Sequence, residues 1–194
     1  MTFAEIISLA IGAILVNNVL LSQFLGICSF VGVSKKKSSS LGMGLAVLFV
    51  LVISSLVTWM LYNWVLIPLN ITFLSTIVFI LVIATLVQFC EMVIKKYMPA
   101  LYKVLGIYLP LITTNCAILG VANFVNPQNG YDIIPTLVYA ISIGLGYILV
   151  MYIFAGIREK IEFAPIPKPF KGAAIALVIA GIMAMAFAGF AGIA

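Results

Sequence analysis

Six apolar stretches, each long enough to cross a bilayer and the first longer than one straight helix needs, leave this chain little choice of fold. A membrane-spanning helix needs roughly 20 consecutive apolar residues. The stretches are Phe3–Val33, Leu41–Leu61, Thr72–Gln88, Val104–Phe124, Ile133–Ile157 and Gly172–Ala194. With 65% hydrophobic and 8% charged residues, and a mean hydropathy of +1.31, 194 residues cannot form a soluble domain without a very large apolar surface. We therefore predict one all-α integral membrane domain, residues 1–194, with six transmembrane helices.

The basic residues are confined to alternate loops, namely those after the first, third and fifth spans. All ten occur there: Lys35, Lys36, Lys37, Lys95, Lys96, Lys103, Arg158, Lys160, Lys168 and Lys171. By the positive-inside rule these three loops are cytoplasmic, which places both termini outside. Membrane topology thus explains the net charge of +5 and gives no reason to expect a nucleic-acid partner.

Two cysteines occur in near-matching phrases, Cys28-Ser-Phe-Val-Gly32 and Cys116-Ala-Ile-Leu-Gly120. Each phrase is followed by a span that opens with Gly-x-Gly, first Gly42-Met-Gly44 and then Gly144-Leu-Gly146. This correspondence predicts a duplicated sequence that carries one thiol per copy at membrane depth.

The two copies extend over about residues 1–94 and about residues 101–194. Because each copy has three spans, the second must enter the membrane from the side opposite to the first. The prediction is therefore two inverted three-helix repeats, an arrangement whose functional sites lie near the bilayer midplane where broken helices meet.

Both cysteine-bearing spans, the first and the fourth, carry signs of a broken helix. In the fourth span Pro110 removes a helical hydrogen bond, and the polar Thr113-Thr114-Asn115 that follows can cap a new half-helix. In the first span Asn17-Asn18 and Ser22-Gln23 interrupt the apolar run. Non-helical backbone at this depth is tolerated only inside protein or beside a water-filled cavity. We therefore expect both breaks to face the protein interior and not lipid.

A lone cysteine in an apolar helix is usually a small hydrophobic residue, and Cys90, which has no counterpart in the other copy, is assigned to packing. Cys28 and Cys116 recur at equivalent points and are the candidate metal ligands. Two thiolates cannot complete a four-sulfur site, so a second chain would supply two more. A [2Fe–2S] cluster or a single zinc ion would close such a site, and only the cluster would carry electrons across the membrane. The residues expected to shape the site are Gly26, Gly32, Thr114, Asn115 and Gly120.

The sequence offers no site for catalysis on a soluble substrate. Histidine is absent, and no nucleophile–base pair or phosphate-binding glycine loop stands out. We therefore expect no catalysis from the isolated chain. Two alternatives remain open at this point: an inverted-repeat secondary transporter whose cysteines only pack, and a scaffold protein of a larger complex.

Five phrases closely resemble the RnfA family, membrane proteins of Rnf electron transport complexes: Phe24–Lys36, Val87–Met92, Leu105–Gly120, Ala155–Glu159 and Ile179–Ala184. They are spread over nearly the whole chain, and the double cysteine phrase is highly specific. The sister family, the E-type subunits of the sodium-pumping NADH:quinone oxidoreductase, is similar throughout. Asn17-Asn18 and the short loop after Asn63 look more like the Rnf family.

The resemblance implies a multi-pass protein of a bacterial or archaeal cytoplasmic (inner) membrane, paired with a homologous subunit of the RnfE type. It implies one intramembrane [2Fe–2S] cluster shared by the two proteins, with Cys28 and Cys116 matching the cluster cysteines on this side. It also implies a complex that couples electron flow between reduced ferredoxin and NAD to the movement of sodium ions or protons.

Overall fold

The chain folds into helices joined by turns, with no strand in the ranges that the structure covers. This computed structural model describes residues 3–34, 37–69, 72–97, 109–124, 132–161 and 171–192, together with Phe163 and Pro167. The helices are α1 (Phe3–Ile11), α2 (Ile27–Val33), α3 (Lys37–Leu61), α4 (Ser75–Tyr97), α5 (Leu109–Thr113), α6 (Cys116–Phe124), α7 (Ile133–Ile161) and α8 (Ala173–Ala188). The all-α prediction is confirmed for these residues.

Three helical stretches are long and apolar enough to cross a bilayer, and three more are apolar but shorter. The long ones are Lys37–Leu69, Thr72–Phe89 and Ile133–Ile161. The shorter ones are Glu5–Val16, Leu111–Phe124 and Ala173–Ala188. Large apolar side chains lie exposed along them, such as Phe73 just before α4, which is 84% exposed and fits a lipid or protein environment better than water. The prediction of an integral membrane protein agrees with these helices.

The first span is broken, as its polar residues predict. A π-helical segment, Gly12–Val16, continues α1, and the chain then leaves the helix until Gly26. Asn18 is buried in this break, where its Nδ2 donates to the Ile14 carbonyl (3.0 Å) and its Oδ1 accepts the Leu20 N–H (3.1 Å). One side chain thus pairs two backbone groups that the break would otherwise leave unsatisfied.

The most extensive helix pair among the described residues is α3 with α7, the second span of each sequence repeat. A β-carbon added to Gly44 would lie 2.8 Å from Cγ1 of Ile148, and one added to Gly144 would lie 2.9 Å from Cγ of Leu48. The earlier residue on α3, Gly44, meets the later residue on α7, Ile148, and Leu48 meets the earlier Gly144. The two helices therefore run antiparallel. One glycine of each Gly-x-Gly phrase, Gly44 and Gly144, therefore lies in the contact between α3 and α7.

Charged side chains join the end of the first span, the start of α3 and the end of α7. Lys37 Nζ lies 2.9 Å from Glu159 Oε2. Arg158 Nη1 donates to the Val31 carbonyl (2.7 Å) and to Ser34 Oγ (2.8 Å), both at the C-terminal end of α2. The end of α2, the start of α3 and the end of α7 therefore lie on the same side of the molecule.

Replacing Arg158 by methionine should destabilise the protein by about 1–3 kcal/mol, since hydrogen bonds donated by a charged group contribute about that much. The change removes two hydrogen bonds from the C-terminal end of α2. It also removes a positive charge, which interacts favourably with the negative end of the helix dipole. Thermal unfolding in detergent is expected to begin several degrees lower than for the parent protein. Lys160→Met, at an exposed position in the same turn, is the matched control. Equal unfolding temperatures for the two variants would contradict this role of Arg158.

Candidate functional site

Cys116 is the first residue of α6, immediately after the break in the fourth span. The break falls at Thr114 and Asn115. Asn115 is buried, its Oδ1 accepts the Ala117 N–H (3.1 Å), and its carbonyl accepts the Ile118 N–H (3.1 Å). Asn115 therefore caps α6, as the polar run before Cys116 predicts, and the cap fixes where the cysteine leaves the backbone.

Gly26 joins the two cysteine phrases. Its N–H donates to Cys116 Sγ at 2.9 Å, although the two residues are 90 positions apart in the sequence. Its φ of +88° lies in the left-handed region, where glycine has no side-chain clash. A β-carbon there would lie 3.1 Å from Asn115 Oδ1 and 3.4 Å from both Ala117 Cβ and Tyr147 Cε2. Conformation and space both require glycine at this point.

Cys28 follows Gly26 by two residues, in the first turn of α2. Its side chain is exposed in this chain, whereas that of Cys116 is half-buried. Gly26, two residues before Cys28, contacts Cys116 Sγ through its N–H, so the two cysteines lie beside the same short segment. The structure therefore brings the two predicted ligands to one region of the chain, where Cys28 is exposed and Cys116 is half-buried.

The remaining predicted site residues differ in how close they lie to the contact between Gly26 and Cys116. A β-carbon on Gly120 would lie 2.5 Å from Cδ1 of Leu25, so Gly120 lets the segment before Gly26 pack against α6. Gly32 is exposed with open space around it, and Thr114 is also exposed. Gly26, Asn115 and Gly120 thus form the contact between the two cysteine-bearing spans, while Gly32 and Thr114 lie on its outside.

Sequence reasoning missed two polar residues of this site, Tyr147 and Ser29. The Tyr147 hydroxyl and Ser29 Oγ are 2.7 Å apart, and Ser29 Oγ donates to the Gly26 carbonyl at 2.8 Å. Both side chains are fully buried. A signal was present in both cases, because Ser29 directly follows Cys28 and Tyr147 directly follows the second Gly-x-Gly phrase.

The groups around the two sulfurs suit a thiolate-bound metal centre. A negative sulfur is stabilised by the Gly26 N–H and by the N-terminal end of α6. Asn115 Nδ2 is buried beside Cys116 without a hydrogen-bond partner, and an unpaired donor of this kind is costly unless an acceptor is supplied. Within the described ranges no group of three Cys, Asp or Glu residues could hold a metal.

A cavity of about 470 Å³ lies between the break in the first span and α8. Its walls include Asn17, Asn18 and Ser22 from the break, and Gly181 and Met185 from α8. The non-helical backbone of the first span therefore borders a cavity with polar side chains, as expected for irregular chain at membrane depth.

Comparison with known proteins agrees with the resemblance carried by the cysteine phrases. Residues 6–194 match the family model described as "Rnf-Nqr subunit, membrane protein". The A-type subunit of the ion-translocating oxidoreductase complex in Escherichia coli O139:H28 (strain E24377A / ETEC) is 52% identical over 185 residues, covering 95% of each chain. The protein of the same name in Shigella boydii serotype 18 (strain CDC 3083-94 / BS512) is equally similar, at 52% over 185 residues and 95% of each chain. This chain belongs to the Rnf-Nqr family of membrane subunits.

Proposed function

We propose that this chain is a membrane subunit of an ion-translocating ferredoxin:NAD oxidoreductase, and that it relays electrons through an intramembrane [2Fe–2S] cluster. The hydrogen bond from the Gly26 N–H to Cys116 Sγ carries the proposal, because it brings together two cysteine phrases from opposite halves of the sequence. The names of the curated relatives support the coarser part, a subunit of an ion-translocating oxidoreductase complex.

Cys28 and Cys116 would hold one half of the cluster, and a homologous subunit of the RnfE type would supply two further cysteines. Four thiolates are the usual ligand set of such a cluster. The exposure of Cys28 supports a shared site, since a ligand that faces outwards can meet a neighbouring chain. Bound there, the cluster would accept and release single electrons inside the membrane. A zinc ion would fit the same sulfurs but would carry no electrons.

The membrane arrangement that we propose is two inverted three-helix repeats with both termini outside and the basic loops in the cytoplasm of a bacterium or archaeon. Antiparallel packing of α3 and α7 supports the inversion, because corresponding helices of inverted repeats run in opposite directions. The ion pair between Lys37 and Glu159 supports the loop assignment, because it joins two of the basic ends on one side.

In this proposal the negative charge added on reduction couples electron flow to the movement of sodium ions or protons. One-electron reduction at the cysteine site would add negative charge in a low-dielectric setting. A cation drawn towards the site would offset that charge. The two halves of the chain would then favour different conformations in the oxidised and reduced states.

A secondary transporter or a scaffold protein with packing cysteines is the main competing function. Iron analysis and EPR spectroscopy of the purified complex, reduced and oxidised, separate these possibilities. We expect iron and a [2Fe–2S] signal that disappear together in the Cys28→Ser/Cys116→Ser double variant. Cys90→Ala is the control and should keep both. If the assembled double variant contained as much iron as the parent complex, the proposed cluster would be refuted and a competing function favoured.

A further inference from the structure

Tyr147 is the largest fully buried side chain of the described residues, and its hydroxyl is part of a directed hydrogen-bond chain. Ser29 Oγ uses its hydrogen to donate to the Gly26 carbonyl, so the hydrogen of the 2.7 Å contact must come from Tyr147. The order is therefore Tyr147 O–H to Ser29 O–H to Gly26 C=O. The next group along, the Gly26 N–H, donates to Cys116 Sγ.

This chain of hydrogen bonds crosses from the second repeat to the first and back. Tyr147 lies on α7, Ser29 and Gly26 lie at the start of α2, and Cys116 lies on α6. Gly26 is therefore held from both sides, by Ser29 at its carbonyl and by Cys116 Sγ at its N–H. The Gly26 carbonyl also accepts the Phe30 N–H (3.1 Å), the first backbone bond of α2, so Ser29 and α2 together hold the residue whose N–H meets the sulfur.

We propose that Tyr147 is a positioning residue that sets the reduction equilibrium of the cysteine-held cluster, acting through Ser29 and Gly26. This inference rests on the proposed function. Hydrogen bonds to cluster sulfurs raise the reduction potential, because they stabilise the extra negative charge of the reduced form. The Tyr147 hydroxyl keeps the Gly26 N–H directed at Cys116, and therefore favours the reduced state.

The buried amide of Asn115 strengthens the assignment. The residue is 3% exposed and its Nδ2 has no hydrogen-bond partner, while its Oδ1 and Tyr147 Cε2 would lie 3.1 Å and 3.4 Å from a β-carbon on Gly26. Asn115 and Tyr147 therefore place two neutral dipoles around Gly26, whose N–H meets Cys116 Sγ, and such dipoles can respond to negative charge added at the sulfur.

Tyr147→Phe removes the hydroxyl and keeps the ring that packs against Gly26. In a redox titration of the assembled complex followed by EPR, the ratio of reduced to oxidised cluster at a fixed potential should fall about tenfold. For one electron this is a midpoint about 59 mV lower. Ser29→Ala should shift the midpoint in the same direction. Tyr152→Phe, at an exposed position on α7, is the matched control and should leave it unchanged.

A double-mutant cycle tests whether Tyr147 acts on the cluster through Ser29. If the two hydroxyls act as one chain, the Tyr147→Phe/Ser29→Ala variant shifts the midpoint no further than the larger single change. Additive shifts, or a Tyr147→Phe midpoint equal to that of Tyr152→Phe, would overturn the inference while leaving the cluster itself in place. A wild-type complex without any cluster signal would instead overturn the proposed function. If Tyr147→Phe fails to assemble, Ser29→Ala alone carries the test.

Discussion

Cation uptake driven by electron flow should fall to background when Cys116 is replaced by serine. The hydroxyl of serine remains protonated under conditions where a thiol yields a thiolate, so it cannot hold iron as the cysteine does. Without the cluster, electrons have no relay through this part of the membrane, and electron transfer should stop together with uptake. Vesicles that contain the assembled complex, supplied with reduced ferredoxin and NAD, allow both rates to be measured in one sample.

The third cysteine supplies the control for this experiment. Cys90→Ser changes a thiol in the same way, on α4, and should keep both electron transfer and uptake. Uptake at the parental rate in Cys116→Ser vesicles, with the complex shown to be assembled, would be incompatible with the proposed relay. Cys28→Ser should behave as Cys116→Ser does, because in the proposed cluster each cysteine is one of the two ligands from this chain.

Replacing Gly26 by alanine should destabilise the contact between the two cysteine-bearing spans and lower the iron content, although both thiols remain. An L-residue in the left-handed region costs about 1–2 kcal/mol. The added methyl group would also lie 3.1 Å from Asn115 Oδ1 and 3.4 Å from Tyr147 Cε2, and overpacking of this kind costs about 1–3 kcal/mol. Iron per complex and the thermal unfolding temperature are the measurements, and both should decrease.

Gly32→Ala is the matched control, since it adds the same methyl group within the same half-helix. Gly32 is helical, exposed and free of neighbours within 4 Å of a β-carbon, so alanine should be neutral or slightly stabilising there. The comparison separates the left-handed conformation and tight packing of Gly26 from a general effect of substitution in α2. Gly26→Ala and Gly32→Ala complexes with the same iron content would show that Gly26 does not shape the site.

Much of the local structure could be predicted from the sequence, because local polar residues determine it. Asn17 and Asn18 predicted the break in the first span, and Asn18 stabilises that break with its own amide. The polar run before Cys116 predicted the cap that Asn115 provides for α6. In both places one side chain satisfies backbone groups within a few residues of itself, which is the kind of interaction that spacing along a sequence reveals.

Interactions between distant residues could not be predicted in the same way. The contact of Tyr147 with Ser29 joins residues 118 positions apart, and it depends on the register in which α7 packs beside α2. The Gly-x-Gly phrases show the same limit. Gly42 has open space around it, whereas Gly44 meets Ile148, and the sequence phrase does not distinguish the two glycines. Register is set by the fit of side chains across the interface, which no single span encodes.

The reciprocal contacts of Gly44 with Ile148 and of Gly144 with Leu48 have a mechanical consequence. Each glycine receives a branched aliphatic side chain from the opposite helix, so α3 and α7 cannot slide along one another without collision. This pair is therefore a rigid axis for the molecule. We therefore expect any rearrangement that accompanies the proposed electron transfer to occur in the shorter helices α1, α2, α5 and α6, where a few backbone torsions suffice to tilt them.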